Sequence, residues 1–91
     1  MPRPRLRRHI CVQPDVTYFK PRGIPLRALR VIQISREELE TLWLVDVKGF
    51  EQKLAARHMR TSQSTIQRIL TQARKKVAQA IVAGKAISIN N

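Results

Sequence analysis

The chain has 91 residues, 43% of them hydrophobic, and carries 18 Lys and Arg against 6 Asp and Glu, a formal charge of +12. That length suits one small domain with a modest core, and the hydrophobic share excludes a wholly disordered chain. Such a charge favours polyanionic partners, the single cysteine excludes an internal disulfide, and no apolar run reaches membrane-spanning length.

Residues 1–8 hold two prolines and four arginines, Arg3, Arg5, Arg7 and Arg8. Proline disfavours a helix there and the guanidiniums forbid burial, so an extended basic arm is predicted. No signal-like apolar segment follows it, because Pro14 and Asp15 interrupt the apolar residues, and a cytoplasmic location is expected. His9, Cys11 and His58 stand apart at no zinc-site spacing. No metal or other cofactor is expected, and Cys11 reads as a small buried hydrophobe.

Residues 9–34 are broken by Pro14, Pro21, Gly23 and Pro25, which rules out a long helix. Two short runs, Val16 with Thr17, Tyr18 and Phe19, and then Val31–Ile34, have strand-like composition within an extended lead-in. Tyr18 and Phe19 are expected in the core, since aromatics at 4% of the chain make a poor platform for stacking bases.

Ser35 followed by Glu38 is a capping box and opens a helix predicted over about 36–48, with Gly49 as its left-handed terminator. This helix and its flank hold every acid except Asp15: Glu37, Glu38, Glu40, Asp46 and Glu51. An element so acidic is expected to face away from a polyanion. A second helix is predicted over about 51–59, with Leu54, Ala55 and Met59 making contacts and Ala56 small enough for a close crossing. Arg60 and Thr61 form the turn. Ser62 caps a third helix over about 63–83, whose inward stripe is Ile66, Ile69, Leu70, Ala73, Val77 and either Ala80 or Ile81. Gly84 ends it. Ala86–Ile89 alternates like a short strand that pairs with the segment around residues 10–13.

The fold class expected is therefore mainly α: a three-helix helix-turn-helix domain over 35–91 behind an arm (1–8) and a lead-in (9–34). With Gln52 as the first position of the motif, Ala56 falls fifth, where the helices come closest, and Ile66 and Ile69 fall where the second helix buries against the first. The turn position usually held by Gly is Arg60, at a cost of roughly 1–2 kcal/mol for a left-handed non-Gly residue. The outward stripe of the third helix offers Gln63, Ser64, Gln67, Arg68 and Thr71 as readers of base edges, flanked by Gln72. Gln bonds adenine at two points, Arg does so to guanine, and Ser or Thr takes either base or phosphate. Arg60, Ser62, Arg74 and Lys75, with Arg3, Arg5, Arg7 and Arg8 of the arm, are the phosphate candidates. The alternative is an ordinary solvated helix face, against which stands the absence of any Asp or Glu from residues 52–91, where there are eight Lys or Arg.

The combination resembles a known family. It comprises Met1-Pro2-Arg3-Pro4-Arg5, then Val16-Thr17-Tyr18-Phe19-Lys20-Pro21 with Gly23 and Pro25, and Glu38-Leu39-Glu40, Leu42, Leu44, Asp46 and Gly49. It continues at Ala55-Ala56, Met59, Ser62, Ser64-Thr65, Arg68-Ile69-Leu70, Ala73-Arg74-Lys75-Lys76-Val77 and Gly84-Lys85-Ala86. In these residues, which span nearly the whole chain, it is similar to uncharacterised protein family 0251 (domain of unknown function 134), small bacterial and archaeal proteins. Departures from the pattern are Arg60 for the usual turn Gly, Glu51 for a Ser or Thr cap, and Trp43 at a typically polar position.

The resemblance implies DNA binding through a helix-turn-helix similar to sigma factor region 4, itself a prediction for that family. The function expected is sequence-specific binding of double-stranded DNA in transcriptional regulation. Alternatives are an adaptor that binds RNA polymerase or another protein through the same helices, or structured-RNA binding. An enzyme is not expected, for want of a nucleophile–base spacing or a phosphate-cradling Gly loop. A homodimer through the long last helix is compatible with a two-fold DNA site.

Overall fold

The computed structural model describes residues 17–90. The elements run β1 (Tyr18–Phe19), β2 (Val31–Ile34), α1 (Arg36–Leu42), α2 (Gln52–His58), α3 (Gln63–Ala83) and β3 (Ala86–Ile89), with a 3-10 turn at Leu26–Ala28. The arm, His9, Cys11 and residues 10–13 lie outside the described residues. Within them the molecule is mainly helical, three helices beside a three-stranded sheet.

The capping box forms as its spacing implies. Ser35 Oγ accepts from the Glu38 N–H at 3.1 Å, and Glu38 Oε1 accepts from the Ser35 N–H at 2.9 Å. The helix expected to run unbroken to about 48 instead widens after Leu42 into a π turn, Trp43–Val47. There the Lys48 N–H reaches the Trp43 carbonyl at 2.8 Å, one residue farther than an α-helix would place it. Gly49, at φ 79°, takes the left-handed position that ends the segment, and the Phe50 N–H closes it on the Leu44 carbonyl at 2.9 Å. The extra residue in the turn leaves Leu44 fully buried while Trp43 and Val45 sit half-buried beside it.

The helical core is Leu44, Ala55, Ala56, Met59 and Ile66, with Trp43, Val45 and Phe50 packed against it. Small residues at 55 and 56 let α3 approach α2 closely. Leu54, expected to share that contact, is 41% exposed: Ala55 and Ala56 occupy the inward face and Leu54 falls one helical step off it. On α3 the buried residues are Ile66, Leu70, Ala73 and Ala80, with Ile69 and Val77 half-buried. Ala80 rather than Ile81 completes the stripe, and Ile81 is 75% exposed. Thr41 donates its hydroxyl to the Glu37 carbonyl at 2.9 Å and sits 3.4 Å from Met59 Sδ, so α1 and the turn after α2 meet inside the core.

Residues 59–62 connect α2 to α3. The Thr61 N–H bonds the Ala56 carbonyl at 2.9 Å, and Arg60 holds φ at 59°, the left-handed conformation its position demanded.

The C-terminal strand exists, but its partners differ from those expected. β3 is the central strand of a sheet ordered β1-β3-β2. It runs antiparallel to β1, with Tyr18 opposite Ser88, and parallel to β2, with Val31 opposite Ala86 and Ile34 opposite Ile89. The register sets Ile34 beside Ile89, both buried, and Ala86 is buried on the opposite face of β3. Within the lead-in, β1 is reduced to two residues at the sheet edge. Tyr18 and Phe19 are therefore not core residues but 50% and 54% exposed. The Lys76 ammonium on α3 donates to the Gln33 carbonyl of β2 at 2.8 Å, tying helix to sheet.

Two substitutions test this packing by urea and thermal melts. Ala56→Leu overfills the crossing and should cost about 1–3 kcal/mol. Arg60→Gly removes the left-handed strain and should add about 1 kcal/mol, raising Tm by roughly 4–8 °C; an unchanged Tm would show that Arg60 adopts this conformation without strain.

Candidate nucleic-acid interface

Because Ile66, Leu70 and Ala73 face inward, the helical period turns the polar residues between them outward. Gln63, Ser64, Gln67, Arg68 and Thr71 are all exposed, as are Gln72, Arg74 and Lys75, and they share the one long helix that presents them. Arg60 is exposed at the turn that precedes it. Lys53 and Arg57 of α2 are exposed cations that the sequence reading did not single out; their place on the solvent side follows from Ala55 and Ala56 being inward.

Ser62 caps α3 with its side chain. Its Oγ accepts from the Thr65 N–H at 3.2 Å and lies 2.8 Å from Thr65 Oγ1 and 3.2 Å from Ser64 Oγ. The hydroxyl is thus engaged within the first turn, and a phosphate at this terminus would meet backbone N–H groups and the helix dipole rather than a free Ser62 side chain. The arm candidates Arg3, Arg5, Arg7 and Arg8 lie outside the described residues.

The acidic helix α1 packs on α3. Glu38 Oε1 accepts from Lys76 Nζ at 2.9 Å with both side chains largely buried. Asp46, carried on the π turn, holds Arg74 through two bonds, Nε to Oδ2 at 3.1 Å and Nη2 to Oδ1. Glu37 and Arg68 line one open concavity of about 430 Å³ with Ser35, Glu38, Ile69 and Gln72. The reason is packing: the inward side of α1 must meet α3, and Lys76 of α3 supplies the cation that makes the buried Glu38 carboxylate tolerable beside the core, while the Asp46–Arg74 pair stays at the surface. Arg74 is consequently bound to its own protein. The hydrogen bond from Arg74, helped by its charge, holds the Asp46 carboxyl below its ordinary value of 3.8 against a desolvation that acts the other way. The pair spans 28 residues of sequence, and no local spacing announces it.

Elsewhere the Lys48 ammonium sits 4.8 Å from the Trp43 ring centroid and 5.3 Å from that of Phe50, and His58 meets Phe50 edge-on at 5.7 Å. These contacts cover the apolar side of the α1–α2 junction. Among the described residues there is no group of three His, Cys, Asp or Glu that could hold a metal ion, and no helix long and apolar enough to cross a membrane.

A three-helix unit with an exposed basic and amide-rich helix face, closed by a small mixed sheet, is the class of protein these features define. The chain belongs to the family described as protein of unknown function DUF134, whose model matches residues 1–91. It is 49% identical over 89 residues to a UPF0251 protein of Desulfosudis oleivorans, a match that covers 98% of this chain and 64% of that one. It is 48% identical to a UPF0251 protein of Caldanaerobacter subterraneus, covering 98% of this chain and 75% of the relative. A UPF0251 protein of Dehalococcoides mccartyi is 52% identical, with 98% and 76% covered. The chain thus spans about two thirds to three quarters of the length of these relatives, and less than two thirds of the first. No solved structure matches.

The Asp46–Arg74 pair predicts a pH response of definite sign. A carboxyl held below its unfolded value adds stability that is complete above about pH 4 and fades as pH falls through the lowered value. In an NMR titration Asp46 should titrate below 3.8 and return toward 3.8 in Arg74→Ala; identical titration in both proteins would remove the pair from solution.

Proposed function

We propose that the chain binds double-stranded DNA through a helix-turn-helix made of α2, its turn and α3, related in kind to sigma factor region 4, and acts as a non-enzymatic transcriptional regulator. The observation that carries the reading is the solvent-facing stripe of Gln63, Ser64, Gln67, Arg68 and Thr71 on a helix whose opposite side is locked to α2 by Ile66. An α-helix of this kind fits the major groove, and amide and guanidinium groups at these positions match base-edge donors and acceptors. Arg60, Lys75 and the amides behind Ser62 serve phosphates on either side. Arg3, Arg5, Arg7 and Arg8 add backbone or minor-groove contacts.

Arg74 is a conditional member of the set. It joins the phosphate contacts only when DNA competes successfully with Asp46. Arg68 is exposed on α3 and lines the same concavity as Glu37.

Binding to duplex DNA across a salt series tests the reading. With about six phosphates neutralised, log K should fall against log salt with a slope of roughly −5; a flat response removes DNA as the partner. Arg68→Ala should relax sequence preference in a selection from random duplexes, while Arg5→Ala should weaken every sequence alike. If both act uniformly, α3 is not the reading helix. Asp46→Asn should release Arg74, tighten binding to random duplex several-fold and steepen the slope by about one unit.

A further inference from the structure

Beyond Thr71 the third helix continues for three more turns, and its last two carry apolar side chains into solvent. Ile81 is 75% exposed and Val82 87%. With Ala78 they stand at i, i+3 and i+4, one ridge along the helix. Phe19 of β1, 54% exposed, lies across a concavity of about 400 Å³ whose walls include Lys20, Pro21, Ile81, Lys85 and Ile87. On the other side of the ridge a second concavity of about 350 Å³ is walled by Lys75, Ala78, Gln79, Val82 and Lys85. The result is an apolar ridge with a hollow on each flank, rimmed by Lys20, Lys75 and Lys85. Neither hollow is lined by Asp or Glu.

We infer that this surface docks an acidic amphipathic helix of a partner protein. Its apolar side chains would enter the hollows on either side of Ile81 and Val82, and its carboxylates would meet Lys20, Lys75 and Lys85. Grooves of this form take helices by their i, i+3, i+4 anchors, and the uniformly positive rim selects an acidic one. A second copy of the chain would set the same three lysines against each other within an assembly of twice the +12 charge. The basic arm of residues 1–8 would meet like charge as well. Ile81 lies ten residues past Thr71, about 15 Å along the helix axis, so the apolar ridge stands apart from the proposed base-reading stripe; Lys75 alone is shared with the proposed phosphate contacts, and the inference does not depend on that reading.

The test uses the full chain and a fluorescent synthetic peptide of about 16 residues, Leu at the core-facing helical positions and Glu elsewhere, with a matched peptide bearing Lys for Glu. The Glu peptide should bind, the Lys peptide should not, and Ile81→Ser with Val82→Ser should weaken binding at least tenfold, as should Lys20→Glu with Lys85→Glu. Because Ile81 and Val82 are exposed, the serine pair should leave the melting temperature unchanged. Absent binding, or equal affinity for all variants, overturns the proposal. So does loss of Glu-peptide binding on Gln67→Ala with Arg68→Ala, which would put the peptide on the reading face as a polyanion mimic. Three further results each identify a different occupant and overturn it: a dimer in sedimentation equilibrium that the serine pair dissociates, retention on anionic vesicles that the same pair abolishes, or a nitroxide on Cys11 that broadens the Ile81 and Val82 methyl resonances.

Discussion

The close crossing of α2 and α3 is the contact on which the rest depends. Two consecutive small residues, Ala55 and Ala56, let Ile66 and Met59 become fully buried within a core that holds few large side chains. Once Ile66 is fixed, the helical period dictates the orientation of α3 over its whole length, since a rigid helix cannot rotate one turn independently of the next. The outward presentation of Gln63, Ser64, Gln67, Arg68 and Thr71 is therefore a by-product of burial on the other side. The same rotation also fixes which residues look out at the far end, where Ala80 goes in and Ile81 and Val82 come out.

Electrostatics refines what packing lays down. A chain with a charge of +12 has cations to spare, yet its fold ties Lys76 and Arg74 to carboxylates of its own. Lys76 is consumed by Glu38 and the Gln33 carbonyl, where it joins α1, α3 and the sheet. Arg74 is held by Asp46 at the surface, where screening keeps the pair weak. One cation has become structural and the other remains exchangeable, and burial alone separates the two cases.

Much of this was legible in the sequence because it depends on local chemistry. Ser35 with Glu38, Ser62 before an apolar period, Gly49, Gly84 and the left-handed Arg60 all act within a few residues of themselves, and each appears where its chemistry puts it. The long-range features were not legible. Nothing near Asp46 points to Arg74, and nothing in Ala86–Ile89 says that its neighbours are Tyr18–Phe19 and Val31–Ile34 rather than residues 10–13. The aromatic pair Tyr18 and Phe19 misled because hydrophobicity was read as burial, whereas a two-residue edge strand has no second layer to cover it. The π turn escaped for another reason: a run such as Trp43–Val47 contains no residue that forbids an ordinary α-helix, and only packing selects the wider one.

The parallel pairing of β2 with β3 makes all three helices the crossover between two adjacent strands. Joining Ile34 to Ile89 before those helices have condensed would mean closing a loop of some fifty flexible residues, an entropic penalty of roughly 3 kcal/mol beyond the constant term. Assembly should accordingly run from the helical trio outward, with the sheet as a late clasp. Conditions that loosen the clasp, such as mild heat or tension on the termini, would then peel away both flanking strands together and leave the trio as a transient, partly folded species.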